Sequence, residues 1–121
     1  MSALVLVVDH DSATCDMLRE FLILEGFAVG CVQDAELAWT AIQRRRPDAV
    51  VLEVSAVLGS HEALLDRIIG LDPPMPVVLT SLDAPPPVCR GYRTLTKPFD
   101  LDDLLDALSA SIGSERIALS G

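Results

Sequence analysis

The sequence predicts an α/β fold, a three-layer sandwich in which helices cover both faces of a five-stranded parallel sheet. Three observations predict it. Apolar runs and amphipathic stretches alternate along the chain. The apolar runs are continuous, as in Leu4-Val5-Leu6-Val7-Val8, which suits strands buried on both faces. The stretches between them are long enough for right-handed crossover helices, which return each strand parallel to the last. The 121 residues fit one domain, and a 50% hydrophobic content gives ample material for a core.

Leu4 to Val8 forms the first strand and stops at Asp9-His10-Asp11. Asp11 or Ser12 caps a first helix whose apolar positions are Cys15, Leu18, Phe21, Leu22 and Leu24, and Gly26 closes it. Phe27 to Val32 is a second, weaker strand. Asp34 caps a second helix through Leu37, Ala38, Ala41 and Ile42, ended by Pro47. "PDAVVLEV" is the third strand, with one acid, Glu53, inside an apolar run. A third helix spans His61 to Leu71, with Leu64, Leu65, Ile68 and Leu71 on one face and His61 exposed at its start. Val77-Val78-Leu79 is the fourth strand and ends in Thr80-Ser81. Pro85-Pro86-Pro87 forbids ordinary helix after it. The fifth strand, Arg93 to Thr96, ends at Lys97-Pro98-Phe99. Asp100 caps a last helix striped by Leu101, Leu104, Leu105, Leu108 and Ile112. Gly113 ends that helix, so the domain covers residues 1–113 and a loose tail residues 114–121.

Composition removes several function classes. A net charge of −9 repels phosphate and argues against nucleic-acid binding. Arg44-Arg45-Arg46 sits at a helix end, where cations suit the dipole. No apolar run is long enough to span a bilayer, and the N-terminal run reads as a strand, not a signal peptide. A soluble cytoplasmic protein is expected, without a membrane partner. Cys15, Cys31 and Cys89 show no metal or redox spacing and read as small buried hydrophobes.

In a parallel sheet, ligands bind at the carboxyl ends of the strands. Those ends deliver Asp9 and His10, Glu53, Thr80, and Lys97, the only lysine in the chain. In that order the residues, with Val5-Leu6-Val7-Val8-Asp9, Pro47-Asp48 before Glu53, Thr80-Ser81 and Thr96-Lys97-Pro98-Phe99, resemble a bacterial two-component response-regulator receiver domain. The resemblance implies a flavodoxin-like strand order 2-1-3-4-5 and a phosphorelay role. It also implies positions. Glu53 stands at the phosphoacceptor place. Asp9 and His10 stand at the acidic pair that holds magnesium, and Ser55 where a backbone carbonyl meets the metal. Thr80 and Thr94 stand at the switch positions, and Lys97 at the phosphoryl contact.

The departures from that pattern carry the functional expectation. Glutamate replaces the acceptor aspartate, histidine the second acid, and threonine the aromatic switch residue. Ala56-Val57 replaces a usual Met-Pro, and His61 a usual glycine. Only 17 positions separate Thr80 from Lys97, so the family's fourth helix is stunted or missing. The strand surface it would cover then invites a partner or a homodimer. Imidazole is a poor ligand for magnesium, so binding of that ion is weakened or lost. If any metal binds, Asp9, His10, Glu53 and Ser55 are its ligands, and histidine suits zinc or nickel. Glutamate also reaches about 1.5 Å further than aspartate. The expectation is a degenerate receiver, not an enzyme, with no cofactor. Its Glu53 pairs with Lys97, and it works through contact with a histidine kinase or a downstream effector. The alternatives are a phosphorylated receiver with an atypical site and, from another class, a small metal-dependent hydrolase. The hydrolase lacks a glycine-rich phosphate loop and a nucleophile–base pair.

Overall fold

The computed structural model describes residues 2–54, 59–83 and 91–120. Among them are five strands and four helices: β1 (Leu4–Val8), α1 (Ser12–Leu24), β2 (Ala28–Val32), α2 (Ala35–Arg44), β3 (Ala49–Glu53), α3 (Gly59–Ile69), β4 (Val77–Ser81), β5 (Arg93–Thr96) and α4 (Leu101–Ser120). The strands form one parallel sheet in the order β2-β1-β3-β4-β5. This is the flavodoxin-like order that the resemblance implied. β1 and β3 are neighbours although a strand separates them in sequence, so the crevice at their carboxyl ends is the switch point of the topology.

The period of two along each strand divides the core. Leu6, Val8, Val50, Leu52, Val77 and Leu79 face α2 and α3, where they meet Ala38, Ile42, Leu64, Leu65 and Ile68. Val5, Val7, Ala49, Val51 and Val78 face α1 and α4, against Leu18, Leu22, Leu104 and Leu108. Each fully buried leucine contributes roughly 1.5–3 kcal/mol. With both faces covered, β3 and β4 are buried along their whole length, while the edge strands β2 and β5 are partly exposed.

Helix ends follow their local chemistry. The Asp11 carboxylate accepts from the Ala13 N–H and the Thr14 hydroxyl, and Asp34 accepts from the Leu37 N–H at 2.8 Å. Gly26 adopts φ 97°, and the Phe27 N–H reaches back to the Leu22 carbonyl at 3.0 Å, a Schellman closure of α1. The Asp100 carbonyl accepts from the N–H groups of Asp103 and Leu104 to open α4.

Four expectations are corrected. Leu24 is 85% exposed, because the buried stripe of α1 runs through Cys15, Leu18 and Leu22 and Leu24 lies off it. Leu37 is exposed for the same reason, beside a stripe of Ala35, Ala38 and Ile42. His61, expected in solvent, is buried. The helix α4 passes through Gly113 to Ser120, where the sequence reading ends it at Gly113. Glycine inside a helix costs about 1 kcal/mol and does not by itself stop one, and Glu-Arg-Ile-Ala-Leu follows as compatible sequence. Ser55, Ala56, Val57, the prolines at 85, 86 and 87 and Cys89 lie outside the described residues. So does the segment, 84–90, on which the expectation of a reduced fourth helix falls.

Candidate functional site

Backbone bonds bring four chain segments together at the carboxyl edge of the sheet. β1 hands over to Asp9, whose N–H is held by the Val32 carbonyl. β3 ends at Glu53, in register with Thr80 of β4. The Lys97 N–H bonds the Ser81 carbonyl, which aligns the end of β5 with the end of β4. Asp9, Glu53 and Thr80 are all buried, while His10 is half-exposed.

Lys97 sits between the two buried acids. Its Nζ donates to Asp9 Oδ2 at 2.7 Å and to Glu53 Oε2 at 2.8 Å. The second oxygen of Glu53 is also engaged. His10 Nδ1 lies 2.5 Å from Oε1, and the His10 backbone N–H donates to the same atom at 3.1 Å. The second oxygen of Asp9, Oδ1, accepts the Asp11 N–H at 2.9 Å. The four side chains thus form one closed ionic network. Its net charge is minus one with His10 neutral and zero with His10 protonated.

The electrostatics follow from those contacts. Burial drives the Glu53 carboxyl up, but hydrogen bonds from His10 and Lys97 outweigh it and hold it at about 2. The bond to Glu53 raises the His10 imidazole above its ordinary value. Burial opposes the charge on Lys97, yet its bonds to Asp9 and Glu53 prevail and raise it.

Thr94 is half-buried, paired in register with Leu79, and its hydroxyl donates to the Tyr92 carbonyl at 3.4 Å. It belongs to β5 and not to the network. One supporting residue was missed in sequence. His61, from α3, donates from Nδ1 to the Glu53 main-chain carbonyl at 2.8 Å and so fixes the end of β3. The signal was present, because His61 falls on the same stripe as Leu64, Leu65 and Ile68.

Asp9, His10 and Glu53 also form the one group of three metal-ligating side chains among the described residues, with one donor atom each within 4.8 Å of the others. The donors are two carboxylate oxygens and an imidazole nitrogen. The cysteines lie elsewhere. Cys31 Sγ donates to the Cys15 carbonyl at 3.2 Å, and burial pushes the Cys31 thiol up to about 12, which leaves it unreactive. No helix among the described residues is long and apolar enough to cross a membrane.

The chain is similar to known proteins. The family model described as "Response regulator receiver domain" matches residues 5–109. "Response regulator MprA" of Mycobacterium sp. (strain KMS) is 36% identical over 117 residues, covering 91% of this chain and 50% of that protein. "Probable transcriptional regulatory protein TcrX" of Mycobacterium tuberculosis is 32% identical over 112 residues, covering 88% of this chain and 48% of that one. A response regulator receiver domain protein from Methanospirillum hungatei has a crystal structure similar at a TM-score of 0.88, with 19% identity, covering 98% of this chain and 99% of that one. At that identity the likeness concerns the fold alone. The chain spans about half the length of the curated relatives it matches.

Proposed function

The chain belongs to the response regulator receiver domain family, and from that membership we propose that it is a two-component signalling module whose acceptor site is closed by its own side chains. The observation that carries this reading is the double bridge of Lys97, which neutralises Asp9 and Glu53 at 2.7 and 2.8 Å. Both oxygens of Glu53 are committed, one to Lys97 and one to His10. A nucleophile so held must break at least one charged hydrogen bond before it can attack a phosphoryl group. Its carboxyl is also displaced along the extra methylene, and a 1 Å error in attack geometry costs about 100-fold in rate.

The donors do not fit magnesium. That ion favours an octahedral shell of oxygens. Here an imidazole stands in the acidic pair, and an ammonium takes an oxygen from each acid. Without the dication, little offsets the charge of an incoming phosphoryl group. The domain then acts by contact in the cytoplasm, with a histidine kinase or a downstream effector as partner, and carries out no catalysis of its own. The Glu53–Lys97 pair stands in for the charge that phosphorylation supplies elsewhere in the family.

The test is exposure of the protein to acetyl phosphate with magnesium, followed by intact-mass spectrometry. The wild type is expected to gain no phosphoryl mass, while the double variant His10→Asp, Glu53→Asp gains it. A stable phosphoryl adduct on wild-type Glu53 overturns the reading.

A further inference from the structure

We propose that the exposed face of α2 binds a second copy of this chain, with the two α2 helices antiparallel about a two-fold axis at Thr40. The helix packs over β1, where Ala38 and Ile42 join Leu6 and Val8 in one core cluster. It therefore lies on the half of the sheet opposite β4 and β5.

α2 is polarised along its ten residues. Asp34 and Glu36 stand at its N-terminal end, and Arg44 and Arg45 at its C-terminal end. Within one chain such charges suit the helix dipole. That role does not account for what lies between them. Leu37 is 56% exposed, and it shares a face with Thr40 and Arg44, three and seven residues further on. An apolar side chain thus meets solvent between an acidic end and a basic one.

The pattern complements itself when reversed. Glu36 and Arg44 each lie four residues from Thr40, about 6 Å along the helix axis. A two-fold axis at Thr40 therefore sets Glu36 opposite Arg44 of the second copy, twice in each dimer. The same reversal brings Leu37 opposite Gln43 and sets each helix N-terminus beside a C-terminus.

Both charges are accessible. Arg44 forms no ion pair among the described residues. Glu36 is 81% exposed, and its Oε1 meets Arg67 at 3.5 Å. An exposed pair of that length is weak, and Oε2 is left to accept a second guanidinium. A notch beside it has a volume of about 380 Å³ and is lined by Asp34, Ala35, Glu36, Ala63, Leu64 and Arg67. Two acids against one arginine leave the notch negative. Arg67 is held over Trp39, its guanidinium 5.6 Å from the ring centre. The small side chains of Ala35 and Ala63 leave the space that the incoming arginine takes. The contact involves one short helix from each copy, so the association is weak and reversible.

Sedimentation equilibrium of the full chain over a range of concentrations tests the proposal. The wild type is expected to show a reversible monomer–dimer equilibrium. Glu36→Arg and Arg44→Glu each set two like-charged pairs across the axis. Each is expected to lose at least about tenfold in association constant, with circular dichroism unchanged. Net charge does not explain such a loss in Glu36→Arg, because that change reduces the −9 on each copy and with it the mutual repulsion. An equimolar mixture of the two variants pairs a basic α2 with an acidic one at both contacts. It is expected to recover association to within about threefold of the wild type. Three results overturn the proposal: a wild type that stays monomeric at every concentration, single variants that associate as strongly as the wild type, or a mixture that associates no better than its parts. The second of these would place the dimer contact on another face.

Discussion

Lys97 holds two carboxylates that are each only 2% exposed. Removing it leaves Asp9 buried without its ammonium partner and Glu53 with His10 alone. Lys97→Met is expected to destabilise the fold by about 3–5 kcal/mol, the cost of breaking a buried pair. Glu53→Gln on that background recovers part of the loss, which urea unfolding of the single and double variants measures as non-additivity. The network also sets the pH dependence of the metal-free protein. Glu53 is held at about 2 against an ordinary 4.5. Its contribution is therefore complete above pH 4.5, is lost as pH falls toward 2, and amounts to roughly 3 kcal/mol. His10 works in the opposite direction. Its pKa is raised above 6.5, so its contribution is complete below that pH and is lost as pH climbs through the raised value. His10→Gln is expected to abolish the loss on the alkaline side and to keep part of the loss on the acid side, read from unfolding midpoints across the pH range. Much of this site was legible in the sequence. A single lysine before Pro-Phe and an acid closing an apolar run announce their own importance. The position of His10 was legible, but its bond to Glu53 was not, because rotamer and reach decide it and pattern does not. His61 was misjudged because a polar residue at a helix start is usually solvated. Its place on the apolar stripe outweighed its polarity once the Glu53 carbonyl satisfied its ring nitrogen.

At the scale of elements, strands and caps were legible and lengths less so. β1 and β5 have the bounds that their sequences suggest, since each is an extended run closed by a charged or proline-marked turn. α4 overran its expected end because glycine is a stop signal only where the chain turns left-handed. Gly26 meets that condition at φ 97°, whereas Gly113 lies inside a helix. The contrast is testable. Gly26→Ala places a Cβ in the left-handed region and is expected to cost about 1–2 kcal/mol, seen as a lower urea midpoint with an unchanged slope. The added methyl meets no neighbouring atom within 4 Å, so backbone conformation accounts for the loss and packing does not. The stripes of α1 and α2 were read too broadly at Leu24 and Leu37. Apolar identity alone placed them inside, although the face that meets the sheet is only about 100° wide.

At the scale of the whole molecule, the network ties together strand ends that belong to different parts of the sheet. Asp9 follows β1, Glu53 closes β3 and Lys97 follows the edge strand β5, which has β4 as its one partner in the sheet. The Lys97 side chain thus spans from the edge to the centre of the sheet, across the end of β4. The acids and the amine meet across the sheet edge, and on the proposed reading this link holds the edge whether or not a phosphoryl donor is present, where a switching receiver would change it. Amide hydrogen exchange separates the two situations, because local opening of an edge strand is governed by the few bonds that hold it. Acetyl phosphate with magnesium is expected to leave the exchange rates of β4 and β5 unchanged in the wild type. Lys97→Met is expected to speed exchange at β5 and at the carboxyl ends of β1 and β3, while β2 keeps its protection. The second half of that pattern has a structural basis in the β2 ladder, which pairs with β1 from Leu4–Ala28 to Val8–Val32 and draws nothing from Lys97. A wild-type β5 that becomes protected only after acetyl phosphate is added contradicts a resting latch. It would mean that the contacts at 2.7 and 2.8 Å are made only part of the time and that the domain still switches.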